Sequence, residues 1–218
     1  MRQLTKLPQL LLLICTILLT SACANLANLR EILNTVSYQD QPIAYELDQT
    51  RTRTEFKVGS NAGQFRLVSA QLGFAQPHIH QGQLAVTVAT GSIDLANPLV
   101  EEMLRGGAWF DSKRHPLASF VTTQLIPKPP DSLTARGELT IKDIKQPLDL
   151  QVHFADGLPD LSKNPQHIAF TAQGSFSRAS YDMTGLTEFA PDEVQLTVSG
   201  WFSHSTMAID SSSHIAKQ

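Results

Sequence analysis

Two histidines, His78 and His80, are the first residues whose type and spacing suggest chemistry. Residues two apart share one face of a strand, and imidazole is a common metal ligand, so the pair is a candidate metal site. No third ligand is close in sequence, however, and the segment Pro77–Gly82 has the composition of a turn. A metal protein or enzyme that uses these histidines is therefore an alternative, and we predict no metal.

G-x-S-x-G, H-E-x-x-H and Gly-rich phosphate motifs are missing, so we predict neither catalysis nor a cofactor.

The N-terminus has the order of a secretion signal. Arg2 and Lys6 precede an apolar run, Leu10–Leu19, and the small residues Thr20–Ala24 follow it. A membrane-spanning helix is the alternative, but such a helix needs roughly 20 apolar residues and this run has about half of that. We therefore expect residues 1–22 to be a signal peptide.

Cys23 is the residue for which the sequence predicts covalent chemistry. The stretch Leu19–Cys23 resembles a bacterial lipobox, in which the cysteine is lipidated and becomes the mature N-terminus, although Thr20 stands where that motif prefers Leu or Val. Cleavage after Ala24 would instead fit the A-x-A pattern and release a soluble protein. Because Cys15 lies in the signal, Cys23 would be the only thiol left, which favours lipidation. We predict a periplasmic lipoprotein that is anchored to the outer membrane through Cys23.

The charge of the exported chain argues against nucleic acid as a partner. Loss of Arg2 and Lys6 lowers the number of Lys and Arg residues from 17 to 15, against 20 Asp and Glu residues. An acidic chain without a basic stripe is a poor nucleic-acid binder, so we predict no such partner.

Apolar residues in the rest of the chain recur mostly with a period of two, which predicts strands. One apolar face and one polar face on each strand are typical of an antiparallel sheet. The eight segments that fit are residues 51–58, 65–74, 84–89, 118–125, 137–142, 148–154, 168–176 and 194–202. About eight strands predict an all-β fold, either a closed up-and-down barrel or a sandwich.

One segment, Asn97–Arg105, interrupts this pattern with the signals of a helix. Asn97 fits the N-cap, Pro98 fits the first helical position, Glu101 and Glu102 lie in the first turn, and two glycines follow Arg105. We expect two helical turns across one end of a barrel.

The inward faces allow two interpretations. A barrel of about eight strands is the size at which side chains either fill the interior or leave space for one ligand. Periodicity alone does not separate a packed structural barrel from a ligand-binding one.

Four motifs, in this order, resemble the YceI family of bacterial periplasmic proteins. They are Ser92-Ile93-Asp94 before the helix, Trp109-Phe110-Asp111 with Pro116 and Phe120, Gly137–Lys142 with Pro147-Leu148, and Asp192-Glu193-Val194 with Leu196. The resemblance covers roughly Tyr45 to Phe202. It departs at Leu99 and Val100, where the family commonly has an Arg-Asp pair, and at the turns Asp143–Pro147 and Arg178–Asp182.

This resemblance implies an antiparallel lipocalin-like β-barrel of about eight strands, with the short helix near one end of a hydrophobic tunnel. Such proteins bind an isoprenoid chain, for example a polyprenyl phosphate or a quinone tail. We expect residues 23–44 to form a tether, 45–203 the barrel and 204–218 a disordered tail. The residues expected to line the tunnel are Phe56, Phe65, Leu84, Val86, Val88, Phe120, Leu139, Leu150, Val152, Phe154, Phe170, Phe176, Leu196 and Val198.

Overall fold

The computed structural model describes residues 43–185 and 190–205. The signal peptide, Cys23, most of the tether and most of the tail therefore lie outside the described residues. Within the described ranges the strands are β1 (Ile43–Leu47), β2 (Arg53–Val58), β3 (Asn61–Phe65), β4 (Val68–Phe74), β5 (Gly82–Ala89), β6 (Ile93–Asp94), β7 (Leu117–Lys128), β8 (Ser132–Ile141), β9 (Ile144–His153), β10 (His167–Ser177) and β11 (Glu193–His204). One α-helix, α1 (Pro98–Arg105), and five short 3-10 turns complete them, at Gln49–Arg51, Ile79–Gln81, Thr90–Ser92, Leu161–Lys163 and Ala179–Tyr181.

Eight of the strands close into an antiparallel barrel, which confirms the predicted fold class. The order around the ring is β1-β4-β5-β7-β8-β9-β10-β11, and β11 returns to β1. The closing pairs place Tyr45 opposite His204 and Leu47 opposite Phe202. Strand β1 begins at Ile43 and β11 ends at His204, so regular pairing reaches slightly beyond both ends of the predicted barrel segment.

Three positions of the ring are each shared by two consecutive strands. The first is shared by β1 and β2, because β11 pairs with β1 through residues 202–204 and with β2 through residues 195–199. The second is shared by β3, which pairs with β2, and β4, which pairs with β1, and the third by β5, which pairs with β4, and β6, which pairs with β3. The segment predicted as one strand, Phe65–Phe74, contains β4 (Val68–Phe74), but its first residue, Phe65, is the end of β3. The chain leaves β3 at Phe65 and starts pairing with β1 only from β4, because its neighbour changes between the two.

Gly200 permits the close approach at one of these breaks. A Cβ on Gly200 would lie 2.4 Å from Thr52 Oγ1, at the connection between β1 and β2. That connection is held by Asp48, whose Oδ1 accepts from Thr50 N at 2.9 Å and whose backbone N donates to Trp201 O at 2.9 Å. Glycine fits here because a larger residue would collide with the side chain of Thr52.

Helix α1 forms as its sequence predicts. Asn97 is the N-cap and its side chain accepts from Leu99 N at 3.0 Å, Pro98 begins the helix, and the N–H of Gly106 donates to Met103 O at its end. These contacts satisfy backbone groups that a short helix leaves free. No helix within residues 43–185 and 190–205 is long and apolar enough to cross a membrane.

The buried side chains form two clusters at opposite ends of the barrel. The helix-end cluster includes Leu104, Trp109, Tyr181 and Met183 with inward residues of the adjoining strands. The far-end cluster includes Tyr45, Phe74, Leu125, Leu161 and Ile168. Leu84, Val86 and Leu150 pack against both clusters. The candidate site is a cavity whose wall is formed mainly by the helix-end cluster.

Candidate functional site

A cavity of about 260 Å³ occupies the barrel interior. Among the described residues that line it, Thr54, Asn61 and Ser119 are polar, none is charged, and the rest are aliphatic, aromatic or methionine. An apolar cavity of roughly 150 Å³ already accepts a molecule of the size of benzene. This cavity therefore has room for a larger apolar group.

The accessibility of the inward side chains shows that the interior is not filled. On β5, Val86 faces inward yet is only half-buried, whereas its neighbours Ala85 and Thr87 are 1% and 2% exposed. Leu196 and Val198 on β11 are likewise half-buried cavity residues in the middle of a strand. In a packed barrel the inward residues would be the most buried ones. The accessible surface of these side chains therefore faces the cavity.

Twelve of the fourteen residues expected to line a tunnel lie on the wall of this cavity. They are Phe56, Phe65, Leu84, Val86, Val88, Phe120, Leu139, Leu150, Phe170, Phe176, Leu196 and Val198. Val152 and Phe154 belong instead to the far-end cluster. Strand β9 ends at His153, and Phe154 N donates to Asp131 O at 2.8 Å, beyond the cavity. Periodicity placed these two on the correct face but does not report height along the barrel.

Strand periodicity missed the part of the wall that comes from α1 and the connections. Val100, Met103 and Leu104 line the cavity from α1, and Trp109 and Phe110 line it from the following loop. The spacing of Val100, Met103 and Leu104 is that of one apolar helix face, which was the available signal. Leu99, on the other side of α1, is 82% exposed.

Arg105 fixes α1 against the break between β5 and β6. Its Nε donates to Gly91 O at 3.1 Å and its Nη2 donates to Ile93 O at 3.0 Å. The same guanidinium pairs with Glu101, whose carboxylate also accepts from Leu95 N, and these contacts hold the pKa of Glu101 below its usual value. The helix is thereby positioned with Val100 and Met103 toward the cavity.

Arg178 is a buried cation that organises the helix end of the barrel. It is 2% exposed, and its Nη1 donates to the carbonyls of Met183 at 2.6 Å and Gly185 at 2.8 Å. Its Nη2 donates to Ala190 O at 3.0 Å, and its Nε donates to Pro191 O at 3.0 Å. A buried charge is tolerated when its donors are satisfied in this way. We call Arg178 with these four carbonyls the Arg178 clamp.

Trp109 packs against the Arg178 clamp. The guanidinium carbon lies 4.8 Å from the centre of the indole ring, a cation–π distance. A Cβ on Gly185 would lie 2.1 Å from Trp109 Nε1. Glycine at this position therefore lets the backbone pass close to the indole ring of Trp109. The clamp thus fixes both Met183 and Trp109, which belong to the cavity wall.

Other ionisable groups give no sign of a reactive centre among the described residues. Burial raises the pKa of Tyr181 to about 12 and also raises the pKa of Tyr45. Tyr181 donates to Leu139 O at 3.3 Å, which is a structural contact. The rings of His78 and His80 stack with their centres 5.7 Å apart, outside the cavity. No group of three or more His, Cys, Asp or Glu side chains in these ranges is arranged to hold a metal ion.

A closed antiparallel barrel of eight strands around an apolar cavity is the architecture of lipocalin-like proteins. The chain belongs to the YceI-like domain family, whose family model matches residues 45–202. It is 21% identical over 138 residues to a UPF0312 protein of Vibrio parahaemolyticus, which covers 63% of this chain and 72% of that relative.

Solved structures share the fold. Burkholderia cenocepacia BcnA has a TM-score of 0.63 and 23% identity and covers 71% of this chain and 98% of its own. A polyisoprenoid binding domain from Saccharophagus degradans, implicated in plant cell wall breakdown, has a TM-score of 0.56 and 12% identity and covers 75% of this chain and 99% of its own.

Proposed function

We propose that this chain is an exported binding protein that holds an apolar, chain-like lipid of isoprenoid or quinone type inside its barrel. The observation that carries the proposal is the unfilled apolar interior, where Val86 and Val198 remain half-buried in the middle of their strands. Each CH₂ group buried there contributes about 0.8 kcal/mol, so a long chain binds tightly with few polar contacts. The likeness to a polyisoprenoid binding domain supports the ligand class.

The alternative is a structural or interaction lipoprotein whose barrel takes no ligand. Titration of delipidated protein with a fluorescent prenyl chain separates the two functions. The proposal predicts saturable binding of one chain per protein with a negative heat-capacity change, which is the signature of apolar burial. Absence of saturable binding would favour the structural alternative.

The proposal includes a membrane anchor at Cys23. Substitution Cys23→Ser removes the thiol that would carry the lipid, so we expect the protein to move from the outer-membrane fraction to the soluble periplasmic fraction. Fractionation followed by immunodetection measures this shift. Cys15→Ser is the matched control and should leave the distribution unchanged. If Cys23→Ser also leaves it unchanged, cleavage after Ala24 is the better account and the protein is not lipidated there.

A further inference from the structure

Thr54 is a polar residue on the cavity wall that lacks a hydrogen-bond partner. It lies on β2 opposite Val198 and Phe65, and it is 6% exposed. Its Oγ1 is buried and has no partner among the described residues. The other buried side-chain oxygen without a partner in these ranges, Ser112 Oγ, does not belong to the cavity wall.

Three other buried threonines show the usual arrangement. Thr90 Oγ1 donates to His115 O at 2.8 Å, Thr122 Oγ1 accepts from Leu84 N at 2.8 Å, and Thr134 Oγ1 bonds the side chain of Gln151 at 3.0 Å. A buried hydroxyl without a partner costs free energy that a valine of the same shape would not. Because Thr54 is on the cavity wall, a ligand that carries a hydrogen-bonding group would supply the partner that its hydroxyl lacks.

The position of Thr54 defines where that partner would lie. Val58, at the end of β2, is four residues away, which is about 13 Å along a strand. The exposed lining residue Asn61 lies just beyond Val58, across the turn between β2 and β3. Rotation about χ1 exchanges the methyl and hydroxyl groups of threonine, so Oγ1 can turn to a ligand in the cavity. The contact would therefore lie about 13 Å from the end of β2 that leads to Asn61.

The charges around the cavity restrict the kind of group that can lie at this depth. No described lining residue is charged, and four of the five N–H donors of Arg178, the buried cation of the helix end, bind backbone carbonyls. A phosphate placed beside Thr54 would be buried without a counter-charge, which is strongly unfavourable. An uncharged hydroxyl or carbonyl oxygen has no such cost.

We propose that the cavity selects a neutral chain-like lipid whose hydroxyl or carbonyl oxygen hydrogen-bonds Thr54 in the barrel interior. This inference rests on the proposed function and narrows its ligand class. It distinguishes oxygen-bearing neutral lipids from pure hydrocarbons and from prenyl phosphates. One net hydrogen bond corresponds to about a two- to tenfold change in affinity.

The test compares farnesol, the hydrocarbon of the same carbon skeleton and farnesyl phosphate as probes of the full chain after delipidation. For the wild-type protein we expect farnesol to bind about fivefold more tightly than the hydrocarbon and more tightly than the phosphate. Thr54→Val should abolish the preference for farnesol over the hydrocarbon without lowering the melting temperature, and Thr54→Ser should retain the preference. Thr122→Val is the matched control, which should lower the melting temperature and leave the preference unchanged.

The outcomes separate this inference from the function on which it rests. Equal binding of farnesol and the hydrocarbon to the wild-type protein, or a preference that survives Thr54→Val, overturns the role of Thr54 while apolar binding stands. Equal or tighter binding of farnesyl phosphate overturns the selection of neutral lipids. Failure of all three probes to bind overturns both proposals.

Discussion

Substitution Arg178→Met is expected to lower the free energy of unfolding by at least about 3 kcal/mol. The methionine keeps the apolar length of the side chain but removes four hydrogen bonds from a charged donor to buried carbonyls. It also removes the cation over Trp109. Met183 and Ala190 line the cavity, and their carbonyls accept hydrogen bonds from Arg178. Loss of these bonds should therefore lower the lipid affinity as well. Urea unfolding followed by Trp fluorescence measures the first effect.

The matched control for Arg178→Met is Arg136→Met. Arg136 makes a two-point contact with Asp149, but both side chains are substantially exposed. Exposed pairs contribute about 1 kcal/mol or less, so this variant should unfold close to the wild-type midpoint. Similar losses for the two variants would contradict the account of Arg178 as the clamp of the helix end.

Substitution Val86→Phe is expected to reduce lipid affinity on the order of a hundredfold while leaving stability unchanged or raised. Phenylalanine adds four carbon atoms to a side chain that faces the cavity, and each displaced CH₂ of a ligand costs about 0.8 kcal/mol. The free protein gains apolar contacts because the ring fills existing space. The prenyl titration and a thermal melt measure the two effects.

The control for Val86→Phe introduces the same side chain where no space exists. Ile168 is 4% exposed and packs in the far-end cluster, so Ile168→Phe should destabilise the protein by about 1–3 kcal/mol through overpacking. If Val86→Phe destabilises the protein to the same degree, the interior is already filled and the structural alternative gains support.

The choice of a barrel over a sandwich came from the motifs that resemble the YceI family. The alternation of apolar residues predicted the all-β fold because it depends on one physical fact, the opposite orientation of neighbouring side chains in a strand. It assigned Phe56, Leu150 and Leu196 to the inward face without knowledge of any contact. It did not detect β1, which has five residues and is fixed by distant partners such as Tyr45 Oη donating to Pro165 O at 2.9 Å. Short strands are determined by their neighbours more than by their own pattern.

The break between β3 and β4 left a trace in the sequence. Phe65 is out of phase with the apolar positions of Val68–Phe74, and the pairing partner changes there from β2 to β1. The heights of residues along the barrel left no such trace. Val152 and Phe154 have the correct face but pack in the far-end cluster, because periodicity describes a strand by itself and says nothing of register against its neighbours.

The role of Arg178 was also outside what the sequence shows. Its partners are backbone carbonyls between five and thirteen residues further along the chain, and any residue type carries such a carbonyl. The sequence showed a turn with an arginine, whereas the fold buries that arginine completely. The unpaired hydroxyl of Thr54 is similarly visible only when the surrounding side chains are in place.

Mass spectrometry of organic extracts from natively purified protein shows whether the cavity is occupied. The proposed function is that the apolar cavity holds a chain-like lipid. It predicts recovery of an isoprenoid or quinone-type lipid at close to one molecule per protein, and a marked loss of that lipid from Val86→Phe purified in the same way. Repeated extraction of the wild-type protein without any such lipid would contradict it.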